Sequence, residues 1–223
     1  LFPNWYALIA ILGIWLLIIF LLSFQSAVPV DALLLQVSTA FTLSGLLSIF
    51  DNTILKLLLV VFGGAVFSLI WWWGTIVRAA TLHFLQKPWR RLVVMFWVGN
   101  VYAFSTTLAG IHIFTPEASL LLLASLNGAF AGLTAYMIWW LYEKPTIHSL
   151  LWAFLIGFIT AQIVGVINFL PFGQFVIGLL ITWLWYIAEL LTRYHLSRQG
   201  IIWKQQFWFL VGNAVLFSLL LYI

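Results

Sequence analysis

Five acids, four histidines and no cysteine are the whole supply of side chains from which this 223-residue chain could build a proton relay or a metal site. Without cysteine there is no thiolate nucleophile, no sulfur-ligated metal and no disulfide. Asp31, Asp51, Glu117, Glu143 and Glu189 are scattered, no two within four residues of each other. Phosphoryl or prenyl transfer on a lipid carrier needs clustered carboxylates to hold Mg²⁺ against a diphosphate, so that chemistry is not expected. His83, His148 and His195 fall on one side of the chain's apolar segments and His112 on the other, and no H-E-x-x-H spacing occurs. Neither a metal nor a cofactor is expected. Every lysine lies at an end of an apolar stretch or between two, which leaves no mid-span amine for a Schiff base.

Glu189 is the only acid inside an apolar stretch, one helical turn before Arg193. Two readings are open for it: an i,i+4 ion pair at the membrane interface, or a carboxyl that couples a process to protons. Thr42-Leu43-Ser44-Gly45, with His112, only partly resembles the Gly-x-Ser-Gly pattern of rhomboid proteases, because the first glycine is missing. Four amides, Asn100, Asn127, Gln162 and Asn213, fall near the middle of apolar stretches. An unsatisfied amide in hydrocarbon costs several kcal/mol, roughly, so each needs a partner. They read either as interhelical hydrogen-bond donors and acceptors or as the lining of a polar path for a neutral or zwitterionic solute.

Positioning these groups falls to a membrane-embedded scaffold. With 65% hydrophobic and 6% charged residues the composition is that of a polytopic membrane protein. Apolar runs between turn-forming or charged residues predict eight transmembrane helices, at about 5–24, 31–50, 54–77, 92–114, 118–142, 148–169, 175–192 and 204–222. They form an all-α bundle in one transmembrane domain, residues 1–223. The first run lacks a basic leader and a small-residue cleavage site, so it reads as a true span.

The distribution of cations orients the bundle. Arg78, Lys87, Arg90, Arg91, Lys144, Arg193, Arg198 and Lys204 fall on one side under the eight-helix count, and Lys56 alone on the other. By the positive-inside rule, loops 78–91 and 193–203 are cytoplasmic and both termini extracytoplasmic. Trp71 to Trp73, Trp89, Trp139, Trp140, Trp152, Trp203 and Trp208 cluster near the same side, as an interfacial aromatic belt would. Arg78, Lys87, Arg90 and Arg91, with Trp89 among them, are the candidate contact for anionic lipid headgroups. The cluster is small and tethered at the bilayer, so nucleic acid is not an expected partner.

Two patterns bear on packing. Ala124, Gly128 and Gly132 recur every fourth residue, as do Gly157, Ala161 and Gly165, which predicts close antiparallel contact of the fifth and sixth helices. The second run, with Gln36, Ser38, Thr39, Thr42, Ser44 and Ser48, is the most polar and is expected to face the bundle interior. Comparing the chain with itself at the offset from Asn100 to Asn213, Phe96, Val98-Gly99-Asn100, Phe104-Ser105 and Leu108 align with Phe209, Val211-Gly212-Asn213, Phe217-Ser218 and Leu221. This suggests a parallel four-plus-four duplication, with repeats at 1–110 and 114–223.

Leu190-Leu191-Thr192-Arg193-Tyr194-His195-Leu196-Ser197-Arg198, followed by a last span carrying Val211-Gly212, resembles an uncharacterised family of multi-pass bacterial membrane proteins, a domain of unknown function. The resemblance implies the bacterial inner membrane and carries no activity. The readings converge on a structural, assembly or scaffold-type membrane protein with a protein partner in the membrane. A small transporter or channel is the alternative, and a lipid-modifying enzyme the third.

Overall fold

A computed structural model of the chain describes residues 30–79, 83–142 and 146–196, the side chains of 73–87 excepted, and helical positions at 13, 14, 17, 207, 208, 210–215 and 218. Among these residues the fold is all helix: α1 (Val30–Ile49), α2 (Thr53–Ala79), α3 (His83–Phe114), α4 (Leu120–Trp140), α5 (Ile147–Ile167) and α6 (Gln174–Leu196). Each contains a segment long and apolar enough to cross a membrane, and the chain is a helical membrane bundle. The expected first and eighth spans fall mostly outside the described residues.

Short connections make successive helices antiparallel, and local chemistry sets where they start. Asn52 accepts the backbone N–H of Ile54 through Oδ1 at 2.8 Å, opening α2. Thr146 and Ser149 form a reciprocal capping box at the start of α5. The loop from Asn168 to Gly173 contains Pro171, and α6 begins at Gln174.

One expected boundary is corrected. The described residues of the expected loop 78–91 are helical: α2 runs to Ala79 and α3 begins at His83, carrying Pro88, Arg90 and Arg91 inside the helix. Leu, Gln, Lys and Arg are good helix formers, so charge ends the apolar span without ending the helix. Pro88 removes one backbone donor near the N-terminus, where the loss is tolerated better than deep in the bundle.

α3 is the most buried span and α2 the least. α3 touches α1, α2, α4 and α6, while α4 and α5 form the most extensive helix pair. From Asn100 to Gly110 every α3 residue is buried except half-buried Tyr102. Ala103, Ser105, Thr106, Thr107 and Ala109 in this stretch are small enough to admit neighbours on several sides. The two largest apolar clusters among the described residues lie at opposite ends of the bundle. Toward the basic ends, Val93, Val94, Trp97, Ala135, Ile138 and Trp185 pack together. Toward the opposite ends, Ala109, Ala124, Val164, Ile167, Ile177 and Leu180 do so.

Backbones approach closely at three glycines of the α4–α5 seam. A Cβ added at Gly157 would lie 2.6 Å from the Gly128 carbonyl oxygen, and one at Gly132 2.7 Å from that of Ala153. The third, Gly128, faces the Gly157 carbonyl oxygen and Ala161. Gly165, at the end of the α5 stripe, has open space where a Cβ would go. Gly178 on α6 packs against Thr106 in the same way; its Cβ would lie 2.9 Å from the Thr106 Cα.

Candidate functional site

The most concentrated polar chemistry lies where α4 and α6 end on the basic side. Glu189 is completely buried on α6. Its Oε1 accepts the indole Nε1–H of Trp139 from α4 at 3.2 Å and faces Arg193 Nε at 3.6 Å one turn along its own helix. The Arg193 guanidinium in turn lies 5.1 Å from the centre of the Tyr142 ring, just past the end of α4. The second carboxyl oxygen, Oε2, is buried without a hydrogen-bond partner among the described residues. Nearby, Trp152 of α5 meets the ring of His195 edge-on, with centroids 5.3 Å apart. The ends of α4, α5 and α6 are thereby tied together by rings and one ion pair.

Trp139 differs from the expected lipid belt. It is buried against Glu189, whereas its neighbour Trp140 is exposed. The 100° step between consecutive helical residues separates the two roles.

The four amides do not meet. Asn100 sits between α3 and α1, its Oδ1 accepting from Thr42 Oγ1 at 3.1 Å and its Nδ2 donating to Thr39 Oγ1 at 3.0 Å and Ser38 Oγ at 3.3 Å. Asn127, fully buried on α4, accepts from Ser105 Oγ of α3 at 3.1 Å, while its Nδ2 has no partner among the described residues. Asn213 accepts from the Trp183 indole of α6. Gln162 lies on the exposed face of α5. One amide thus joins α1 to α3, one α3 to α4, one the last described helical stretch to α6, and one faces outward.

The polar run of α1 turns largely inward, with Gln36, Thr39, Thr42 and Ser44 buried. Ser44 donates to the backbone oxygen of Ala40 at 2.8 Å, so its hydroxyl is engaged within its own helix. No group of three His, Cys, Asp or Glu side chains converges among the described residues. Of the basic cluster, Arg90 and Arg91 are exposed about two turns into α3, and the side chains of Arg78 and Lys87 lie outside the described residues.

The partners of these groups escaped the sequence reading. Trp139 and Tyr142 stand about fifty residues before Glu189 and Arg193, and no spacing rule connects them. For Asn100 a signal existed: the hydroxyl-rich face of α1 had to be matched inside the bundle. Compared with known proteins, the chain matches no family model, no curated protein and no solved structure.

Proposed function

We propose that this chain has a structural or assembly role in the membrane, working through contacts with another membrane protein inside the bilayer. The observation that carries this reading is the dispersal of the amides. Asn100, Asn127 and Asn213 each make a hydrogen bond to a different helix, and no bond joins one of them to another among the described residues. In this reading the bundle has eight spans with both termini extracytoplasmic, in the bacterial inner membrane that the C-terminal resemblance implies. Arg90 and Arg91, with Arg78 and Lys87, meet anionic headgroups on the cytoplasmic side. The four-plus-four duplication belongs to the same reading; superposing the first and last four helices of an experimental structure tests it.

Native mass spectrometry of the protein extracted in its own lipids tests the role. A stoichiometric protein partner supports it, and a retained solute without such a partner overturns it. A second reading, a small transporter for a neutral or zwitterionic solute coupled to protons, is favoured by the buried Glu189 Oε2 that has no partner. Proteoliposomes containing Glu189→Gln test it, since solute uptake driven by a proton gradient would then be lost.

A further inference from the structure

Gln162 stands at an unusual place for a carboxamide. It lies on the exposed face of α5, five residues before the helix ends at Ile167, or roughly 7.5 Å along the axis at about 1.5 Å per residue. That depth is inside the hydrocarbon, whose half-thickness is about 15 Å. It makes no hydrogen bond to a described residue, and around it α5 exposes Phe154, Phe158 and Val166.

A second such residue lies beside it. Ser125 of α4 is exposed and also lacks a hydrogen bond to a described residue. The glycine contacts fix its height relative to Gln162. Gly132 faces Ala153 and Gly157, and Gly128 faces Gly157 and Ala161. Each step back along α4 is therefore matched by one step forward along α5, and continuing three steps from Gly128 brings Ser125 level with Gln162. At 100° per residue both fall on the same flank of the seam, with Ala129 and Leu133 exposed on α4 and open space over Gly165 on α5. Exposed Ser68 of α2 differs, because its hydroxyl is satisfied by the Gly64 carbonyl oxygen.

We infer that this flank of α4 and α5 is the interface with a second copy of the same chain, paired about a two-fold axis along the membrane normal through Gln162. The exposed amide, unbonded among the described residues, points to that occupant. A two-fold axis along the normal places identical residues at identical depth, and a carboxamide is its own complement: each Gln162 Nε2–H donates to the other's Oε1. Ser125 lies beside the pair and can donate to or accept from either amide. Lipid tails offer neither donor nor acceptor. Ala129 and Gly165 leave the room for close approach that helix pairing in lipid requires. The pairing rests on the assembly reading only in treating a lipid-facing surface as a contact; it concerns self-association and not the other protein.

The absence of native cysteine makes the test direct. Phe158→Cys is placed on the same face, one turn from Gln162, and Met95→Cys on the exposed face of α3 serves as the control. Membranes containing each full-length variant are oxidised, and the disulfide products are identified by mass. The expected result is a disulfide-linked homodimer from Phe158→Cys and none from Met95→Cys. Adding Gln162→Leu is expected to lower the self-association constant about eightfold, the loss of two interhelical hydrogen bonds of average strength. A monomer only, equal cross-linking at Met95→Cys, or a yield unmoved by Gln162→Leu overturns the inference. Cross-linking of Phe158→Cys to a different protein also overturns it while leaving the assembly role standing. Since Gln162 is exposed, leucine there is compatible with the fold, and an unchanged melting temperature of Gln162→Leu in detergent checks this.

Discussion

Trp139 on α4 donates its indole N–H to the buried Glu189 carboxyl on α6, across fifty residues of sequence, and the same oxygen faces Arg193. The bond turns what would be a local i,i+4 ion pair into a tie between two helices. Removing the cation leaves the acid uncompensated in the bundle, a loss that typically costs about 3 kcal/mol. Arg193→Met is therefore expected to destabilise the protein by that amount, read as a shift in the denaturation midpoint in mixed micelles. Glu189→Gln, which retains an acceptor for Trp139, is expected to cost less than Arg193→Met. Equal losses would show that leaving the buried carboxylate without its cation carries no cost of its own.

Asn100 is the hub of the α1–α3 contact, with three bonds to Thr42, Thr39 and Ser38. Asn100→Leu removes them together and is expected to cost roughly 1–2 kcal/mol, the upper range for polar contacts between membrane helices. Thr42→Val is expected to cost less, since Asn100 keeps its two donated bonds. The same denaturation series measures both.

Gly157 and Gly165 lie on one helix two turns apart and should respond oppositely. A side chain at Gly157 meets the Gly128 carbonyl oxygen at 2.6 Å from its Cβ alone, and that backbone cannot yield without parting α4 from α5. Gly157→Val is expected to cost about 3 kcal/mol or to prevent accumulation of the protein. Gly165→Ala, with open space at its Cβ, is expected to stay within about 0.5 kcal/mol of the parent. Thermal unfolding in detergent separates the two.

Arg90 and Arg91 are exposed about two turns into α3, and in the proposed orientation they face headgroups and water. Replacing both with glutamine is expected to weaken retention of anionic lipid by about 1 kcal/mol per cation, read by lipid exchange into vesicles of graded anionic content. If Arg78 and Lys87 are replaced as well, four of the eight cations assigned to the cytoplasmic side are gone. Accessibility tags in the loops are then expected to report a mixed orientation.

The spans were legible in the sequence because hydrocarbon imposes a length and an apolarity that few other structures share. The bounds of α1, α4, α5 and α6 fall within a few residues of those expected. Glycine and alanine at every fourth position of α4 and α5 were visible in the same way, since helical periodicity turns spacing directly into a face. Periodicity failed at the basic stretch, where charge marks the membrane surface but not the end of a helix, so α2 and α3 extend beyond their apolar cores.

Which polar groups meet was not legible, because a residue's position along a helix says nothing about the neighbour that the other helices bring. Asn100, Asn127, Gln162 and Asn213 looked alike in sequence, each an amide in an apolar run. The bundle sends Asn100 and Asn127 to buried hydroxyls, Asn213 to an indole and Gln162 to the outer face. Trp139 and Trp140 are adjacent in sequence, yet one is buried on Glu189 and the other exposed. Composition and spacing specify helices long and apolar enough to cross a membrane, since these depend on the residues of one segment. Rotation and pairing depend on all six described helices at once, and they decide whether a polar side chain is glue, a site or a surface.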